Sequence, residues 1–153
     1  MIDASILARL QTDMVIAMKA RDADTLSTLR MLKSALMEAK TRMPRDVSLS
    51  PEEEIEVLQR YVKKRRESIE EFGKHGLGDR VAREHQEIEV TQRYLPEAIS
   101  EDAILAIVRQ AIAATGAAGP KDMGKVIGAV MPKVKGRAEG STVSKMVRQA
   151  LGG

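Results

Sequence analysis

Cysteine and tryptophan are both missing from the 153 residues, and aromatic residues are held to 2% of the chain. The lack of cysteine excludes disulfides, thiolate nucleophiles and most structural zinc sites together. With Tyr61, Phe72 and Tyr94 as its only aromatics, the core has to be built from Leu, Ile, Val, Met and Ala, which suits helices packed on helices. Nine methionines at helical spacing fit that use as core filler. No uncharged apolar run approaches the ~20 residues that span a bilayer. Asp3, Arg9 and Asp13 interrupt the segment where a signal peptide would carry its apolar stretch. No membrane association and a cytoplasmic location are therefore expected.

Catalytic patterns are missing as well. His75 and His85 are the only histidines and have no carboxylate triad at ligand spacing, so no metal site is expected. No glycine-rich phosphate loop ends in Lys-Ser or Lys-Thr, and no Ser, His and Asp set suggests a nucleophile. The chain is expected to need no cofactor and to carry out no catalysis of its own.

What is present is a helical pattern with an uneven charge. Hydrophobic residues make up 43% and charged residues 31%, the balance of a folded soluble protein. Up to Ile99 the chain has 17 basic and 18 acidic residues, and from Ser100 onward it has 8 and 4. A near-neutral first part thus precedes a short basic one.

Ile6, Leu10, Met14, Ala17 and Met18 share one face of a first helix, which Ser5 or Asp3 caps. Leu26, Leu29, Leu32, Leu36 and Ala39 predict a second, ended by Met43 and Pro44. Ser50, Pro51 and Glu53 combine an N-cap, a first-turn proline and a capping-box acid, so a third helix starts at Pro51. It carries Ile55, Leu58, Val62, Ile69 and Phe72 inward, with Arg65 interrupting the stripe. Asp79 is expected to cap a fourth helix with the stripe Val81, Ile88 and Leu95, closed by Pro96.

A boundary is placed at Tyr94 to Ile99, dividing a four-helix domain, 1–95, from a three-helix domain, 100–153. Ser100 caps a fifth helix with Ile104, Val108, Ala111 and Ile112 inward, ending at Gly116. A sixth runs from Asp122 to Met131. A basic loop follows from Pro132 to Gly140, and a seventh helix, Ser141 to Leu151, turns Val143, Val147 and Ala150 inward.

The stretch from Asp122 to Gly140, DMGKVIGAVMPKVKGRAEG, carries most of the functional information. Gly124 and Gly128 would share a helix face and let another backbone approach closely; each costs about 1 kcal/mol relative to alanine and so needs a packing or ligand reason. Lys121 and Lys125 form a row beside them. Lys133, Lys135 and Arg137 crowd the loop, and Lys145 and Arg148 lie one turn apart on the last helix. Seven cations against Asp122 and Glu139 suit the phosphates of a polyanion, although a solvated basic face has the same composition. No aromatic side chain follows Tyr94, so bases cannot be stacked and the backbone and shape of folded RNA would have to be gripped. The gap before the last helix is too long for a helix-turn-helix, which disfavours DNA. The other basic run, Lys63 to Arg66, is flanked by acids and reads as an exposed, internally paired helix face.

This segment resembles the signature of the GatB/YqeY family, DTLSTLRMLKSALMEA resembles that family's second helix, and RYLPEAIS its Tyr-Leu-Pro linker. The likeness covers the whole chain. Ile127 stands where the family pattern usually has Met, and Glu139 where it has Asp; the longer acid is expected to weaken a local turn bond. The resemblance implies a helical amino-terminal domain and a three-helix domain shared with the tail of the B subunit of the glutamine-dependent tRNA amidotransferase. There the tail contacts tRNA and separate regions do the chemistry. The amidase Ser-Ser-Lys set and the ATP-using site of that enzyme have no counterpart here, so a carbon–nitrogen ligase activity attaches to this chain by inheritance only. What carries over is a binding surface for tRNA at Lys121, Lys125, Lys133, Lys135 and Arg137, extended on charge to Lys145 and Arg148. An aminoacyl-tRNA synthetase or an amidotransferase is the implied protein partner. The alternative is a protein-interaction adaptor that docks through the glycine pair.

Overall fold

The computed structural model describes residues 5–152. Seven α-helices and one 3-10 turn make up their regular structure, with no strand among the described residues, as the leucine- and valine-rich periodicity predicts. The helices fall into two compact units that divide between Leu95 and Pro96.

The first unit contains α1 (Ile6–Lys19), α2 (Ala23–Thr41), α3 (Pro51–Lys74) and α4 (Gly78–Gln92). Ser5 caps α1 by accepting from the Ala8 N–H at 3.1 Å; Asp3, the other candidate, lies outside the described residues. At α3 both halves of the capping box are present, Glu53 N–H to Ser50 Oγ at 3.2 Å and Ser50 N–H to Glu53 Oε2 at 2.7 Å. Leu10, Leu29, Leu32, Leu36 and Leu58 are buried at the centre, and Val90 and Tyr94 close the core beside them.

Four expectations need correction. Met18 is 57% exposed, because Ala17 and not its neighbour faces the core. Asp79 does not cap α4; Leu77 holds that position without a side-chain bond, and Asp79 lies in the first turn, where a negative charge still suits the helix dipole. On α4, Ile88, Val90 and Thr91 are buried while Val81 is only partly so, and Leu95 lies beyond the helix, which ends at Gln92. This helix packs on both α2 and α3 and so needs a wider apolar face than one stripe. Arg65 is not part of a solvated run: its Nε lies 3.1 Å from Glu87 and 3.5 Å from Glu84, and its guanidinium sits 4.4 Å above the Tyr61 ring. Burial pushes the Glu84 carboxyl up, and Arg65 pulls it back.

Two polar contacts fix how α1 is held. Glu54, 3% exposed in the first turn of α3, accepts from the Ile6 N–H at 3.2 Å and the Leu7 N–H at 2.9 Å. The carboxylate thereby satisfies free donors of one helix while lying at the positive end of another. At the end of α4 the Tyr94 hydroxyl donates to Asp13, and Arg9 lies over the same ring at 5.0 Å. Between α1 and α2 the chain turns through Arg21 at φ 55. Arg21 N–H bonds to the Met18 carbonyl at 3.1 Å, and Asp22 N–H to the Ala17 carbonyl at 2.9 Å. This is the Schellman arrangement that glycine usually completes, so arginine here costs about 1–2 kcal/mol.

The second unit contains α5 (Glu101–Thr115), the 3-10 turn Pro120–Asp122, α6 (Met123–Val134) and α7 (Gly140–Ala150). Ser100 caps α5, accepting from the Ala103 N–H at 3.1 Å. Val108, Val126, Val130, Val134, Val143 and Val147 are fully buried in its core. The expected loop from Pro132 starts later, because α6 continues through Pro132 to Val134. An interior proline costs about 3 kcal/mol, less in a last turn, and burying Val134 returns roughly 1.5–3 kcal/mol. On α7, Ala150 is exposed where spacing places it inward, and Met146 joins Val143 and Val147 in the core.

Glu54→Ala leaves one buried and one partly buried N–H group unsatisfied and is expected to destabilise the protein by about 3 kcal/mol, with Glu54→Gln losing less; denaturant melts of the three proteins measure this. Tyr94 gives a pH signature. Burial, then the bond to Asp13 and its charge, hold the Tyr94 hydroxyl well above the ordinary tyrosine value, with Arg9 and Arg93 opposing. The folded state thus keeps a proton that the unfolded chain releases near pH ~10, so this stability is complete below about pH 10 and is lost as pH rises further. Thermal melts at increasing alkalinity should show Tyr94→Phe to be less stable than the parent at neutral pH yet less sensitive to base.

Candidate nucleic-acid interface

Val126, Val130 and Val134, four residues apart and fully buried, set the rotation of α6. At about 100° per residue, Gly124, Lys125, Gly128 and Pro132 fall on the opposite side, and all four are exposed. Lys121 is exposed in the preceding 3-10 turn. Asp122, the acid of that row, turns back to accept from the Ala118 N–H at 3.0 Å and braces the turn.

The close backbone approach expected at Gly124 and Gly128 does not come from the described part of this chain. A Cβ at either position would meet nothing within 4 Å. Packing among the described residues of the second unit therefore gives no reason for these glycines, and a bulky residue there would not wedge that unit apart. Pro132 adds a second feature to the same face: it has no N–H, so the Gly128 carbonyl receives no donor from four residues on.

Within the Asp122 to Gly140 stretch, the glycine in a left-handed conformation is Gly136, which spacing does not single out. It is buried and has φ 83, a left-handed conformation strained for any side chain. Its signal is the Lys-Gly-Arg context between two helical patterns, masked by the density of charge around it.

Lys133, Lys135 and Arg137 are exposed at the corner between α6 and α7. By helical phase Lys133 points about 80° away from Lys125. Arg137 also serves the fold, since its carbonyl accepts from the Ile99 N–H at 3.0 Å and its Nε donates to the Glu97 carbonyl at 3.4 Å. It therefore pins the segment that leads into α5. Lys145 and Arg148 are exposed on α7, away from Val143, Met146 and Val147.

The seven cations thus form three groups: a row before and on α6, a corner cluster, and a row on α7. Because α6 and α7 bury their apolar faces in one core, their outward rows are separate facets meeting at the corner. The acids from Ser100 onward all sit at helix starts. Glu101 and Asp102 lie in the first turn of α5, Asp122 before α6, and Glu139 at the N-cap of α7 without a side-chain capping bond. They complement helix dipoles there and leave the outward faces to the cations. Among the described residues no group of three or more His, Cys, Asp or Glu could hold a metal ion, and no single helix is long and apolar enough to cross a membrane.

Known proteins share this sequence through both units. The chain is 32% identical over 153 residues to altered inheritance of mitochondria protein 41, mitochondrial, from Pyrenophora tritici-repentis (strain Pt-1C-BFP), a similarity covering 96% of this chain and 81% of that protein. Residues 7–151 match the family described as Yqey-like protein. With that match spanning α1 to α7 and the glycine- and lysine-bearing α6 within it, the chain belongs to the Yqey-like protein family.

Proposed function

We propose that the chain is a non-catalytic accessory protein that binds tRNA through its second unit, in support of tRNA-dependent amidotransfer or aminoacylation. The observation that carries this reading is the outward face of α6, where Lys121 and Lys125 flank two glycines with open space over them. A phosphate–sugar backbone can come against such a face without meeting side chains. The Gly128 carbonyl, deprived of its donor by Pro132, offers an acceptor to a ribose 2′-hydroxyl, which DNA lacks. An amidotransferase or an aminoacyl-tRNA synthetase is the proposed protein partner, and the cytoplasm the proposed compartment. The name of the mitochondrial relative is compatible with the same role in another compartment that translates.

The adaptor reading uses the same glycine face against a protein. Salt separates the two, since each phosphate contact contributes roughly 0.7 to 0.9 to the slope of log affinity against log salt and an apolar contact contributes little. Lys125→Ala and Lys133→Ala are expected to weaken tRNA binding and flatten that slope with the fold unchanged, whereas Arg137→Ala also loosens the Glu97–Ile99 segment. Gly124→Ala and Gly128→Ala should each stabilise the free protein by about 1 kcal/mol while weakening tRNA binding, and Gly128→Leu should block binding without unfolding. Salt titrations of tRNA binding, with circular dichroism for stability, check these outcomes. No tRNA binding at low salt, or binding indifferent to the α6 variants, would transfer the face to the adaptor reading.

We further propose that the two units are separable domains. Tyr94 is buried in the first and Ile99 is tied to Arg137 in the second, which leaves Pro96 to Ala98 exposed between them. Limited proteolysis should cut there first; initial cleavage inside α5 would contradict the division.

A further inference from the structure

The first unit carries a cleft that plays no part in the reading above. It has a volume of about 310 Å³ and lies where α1 turns into α2 beside the end of α4. That is the small end of the range for ligand sites, enough to take one or two inserted side chains rather than a cofactor. Ala17 and Leu29 give it an apolar floor, and Ile16 forms a wall. Ile16 is 59% exposed, and Val15 and Met18 of the same turn are 45% and 57% exposed. Three large apolar side chains open to water on one turn are a feature of interaction surfaces.

The charged groups of the cleft differ in how they are used. Both lining carboxylates are engaged locally, Asp13 accepting from the Tyr94 hydroxyl and Asp22 capping α2 by accepting from the Thr25 N–H at 3.1 Å. Asp22 is held below the usual carboxylate range by its bonds to Thr25, with Arg93 adding to the effect. Arg9, one turn from Asp13 on α1, and Arg93, whose charge acts on Asp22, also line the cleft, and among the described residues neither forms an ion pair with a carboxylate. Arg9 uses one N–H on the Arg93 carbonyl, at 3.3 Å. Between the lining residues Ala20 and Asp22 stands Arg21, exposed and in the left-handed conformation. The corner thus keeps a cation where a glycine would fold more easily.

We propose that this cleft docks a segment of a partner protein that presents aliphatic side chains next to carboxylates. An aliphatic side chain enters over Ala17 and Leu29 and covers Ile16, while the neighbouring acids meet Arg9, Arg21 and Arg93. The apolar floor favours a protein over RNA, because a phosphate backbone would cover Ile16 without gaining from its burial. Arginine beside a desolvated aliphatic slot is the composition of interface hot spots. This inference is independent of tRNA binding, which uses residues of the second unit alone.

The test uses the full chain, immobilised, against three displayed dodecapeptide libraries: Leu, Ile, Glu and Asp; Leu, Ile, Lys and Arg; Ser, Gly, Glu and Asp. Selective retention of the first is expected. A peptide selected from it should shift the amide resonances of Ala17, Ala20, Thr25 and Leu29 in the labelled protein. Arg93→Glu and Ile16→Asp should each weaken that peptide by about tenfold or more at unchanged melting temperature. Arg21→Gly should weaken it while raising the melting temperature, a pairing that a damaged fold cannot produce. Equal retention of all three libraries, retention that survives both Arg93→Glu and Ile16→Asp, or displacement of the peptide by tRNA would overturn the proposal.

Discussion

The placement of α1 depends on one buried carboxylate. Glu54 lies at the start of α3 and takes the first free N–H groups of α1, so two helix N-termini converge on a single negative charge. Burying an unpaired carboxylate would be prohibitive, but here two backbone donors and two helix dipoles oppose that cost. Because hydrogen bonds are directional, the contact fixes the axial register of α1 as well as its position. That register places Arg9 and Asp13 against Tyr94, and Ala17 over the core. Movement of α1 by one turn along its axis would separate Tyr94 from Asp13 and bring Asp13 or Met14 to where Ala17 packs.

Features encoded by neighbouring residues are legible in the sequence. The capping box at Ser50 and Glu53, the Ser100 cap and the Gly116 stop each depend on a few adjacent positions, and the valine rows of the second unit follow a plain helical period. Features set by distant partners are not legible. Glu54 reads as one more acid in a run of three, and only the arrival of Ile6 and Leu7 gives it a role. Arg65 looks like a break in a stripe until Glu84 and Glu87 appear opposite it on α4. Pro132 looks like a stop because the benefit of continuing, burial of Val134, depends on α6 lying against α5 and α7.

The glycines show the same division between local and tertiary information. Spacing singles out Gly124 and Gly128 and gives their shared helical face, but it does not show that nothing in the described chain packs on them. In the same stretch Gly136, hidden between Lys135 and Arg137, is the one with a left-handed φ. Cations are legible as a set but not as an arrangement: one dense sequence segment becomes two helix facets and a corner, with Arg137 committed partly to Glu97 and Ile99.

Both units hold residues that make the free protein less stable than its backbone allows. Two exposed glycines within α6 cost helix stability with no internal packing to offset it, and Arg21 occupies a corner that glycine would relax. Strain and lost propensity of this kind are most readily retained where a partner offsets them on binding. The two sites call for opposite chemistries. On α6 the side chains are withdrawn and cations stand at the edge, which suits an extended anionic backbone. At the α1–α2 corner, apolar side chains are left in water beside guanidinium groups, which suits a folded or folding polypeptide with its own acids. The two proposed faces, each on its own unit, would give the chain the organisation of a connector, one suited to nucleic acid and the other to protein.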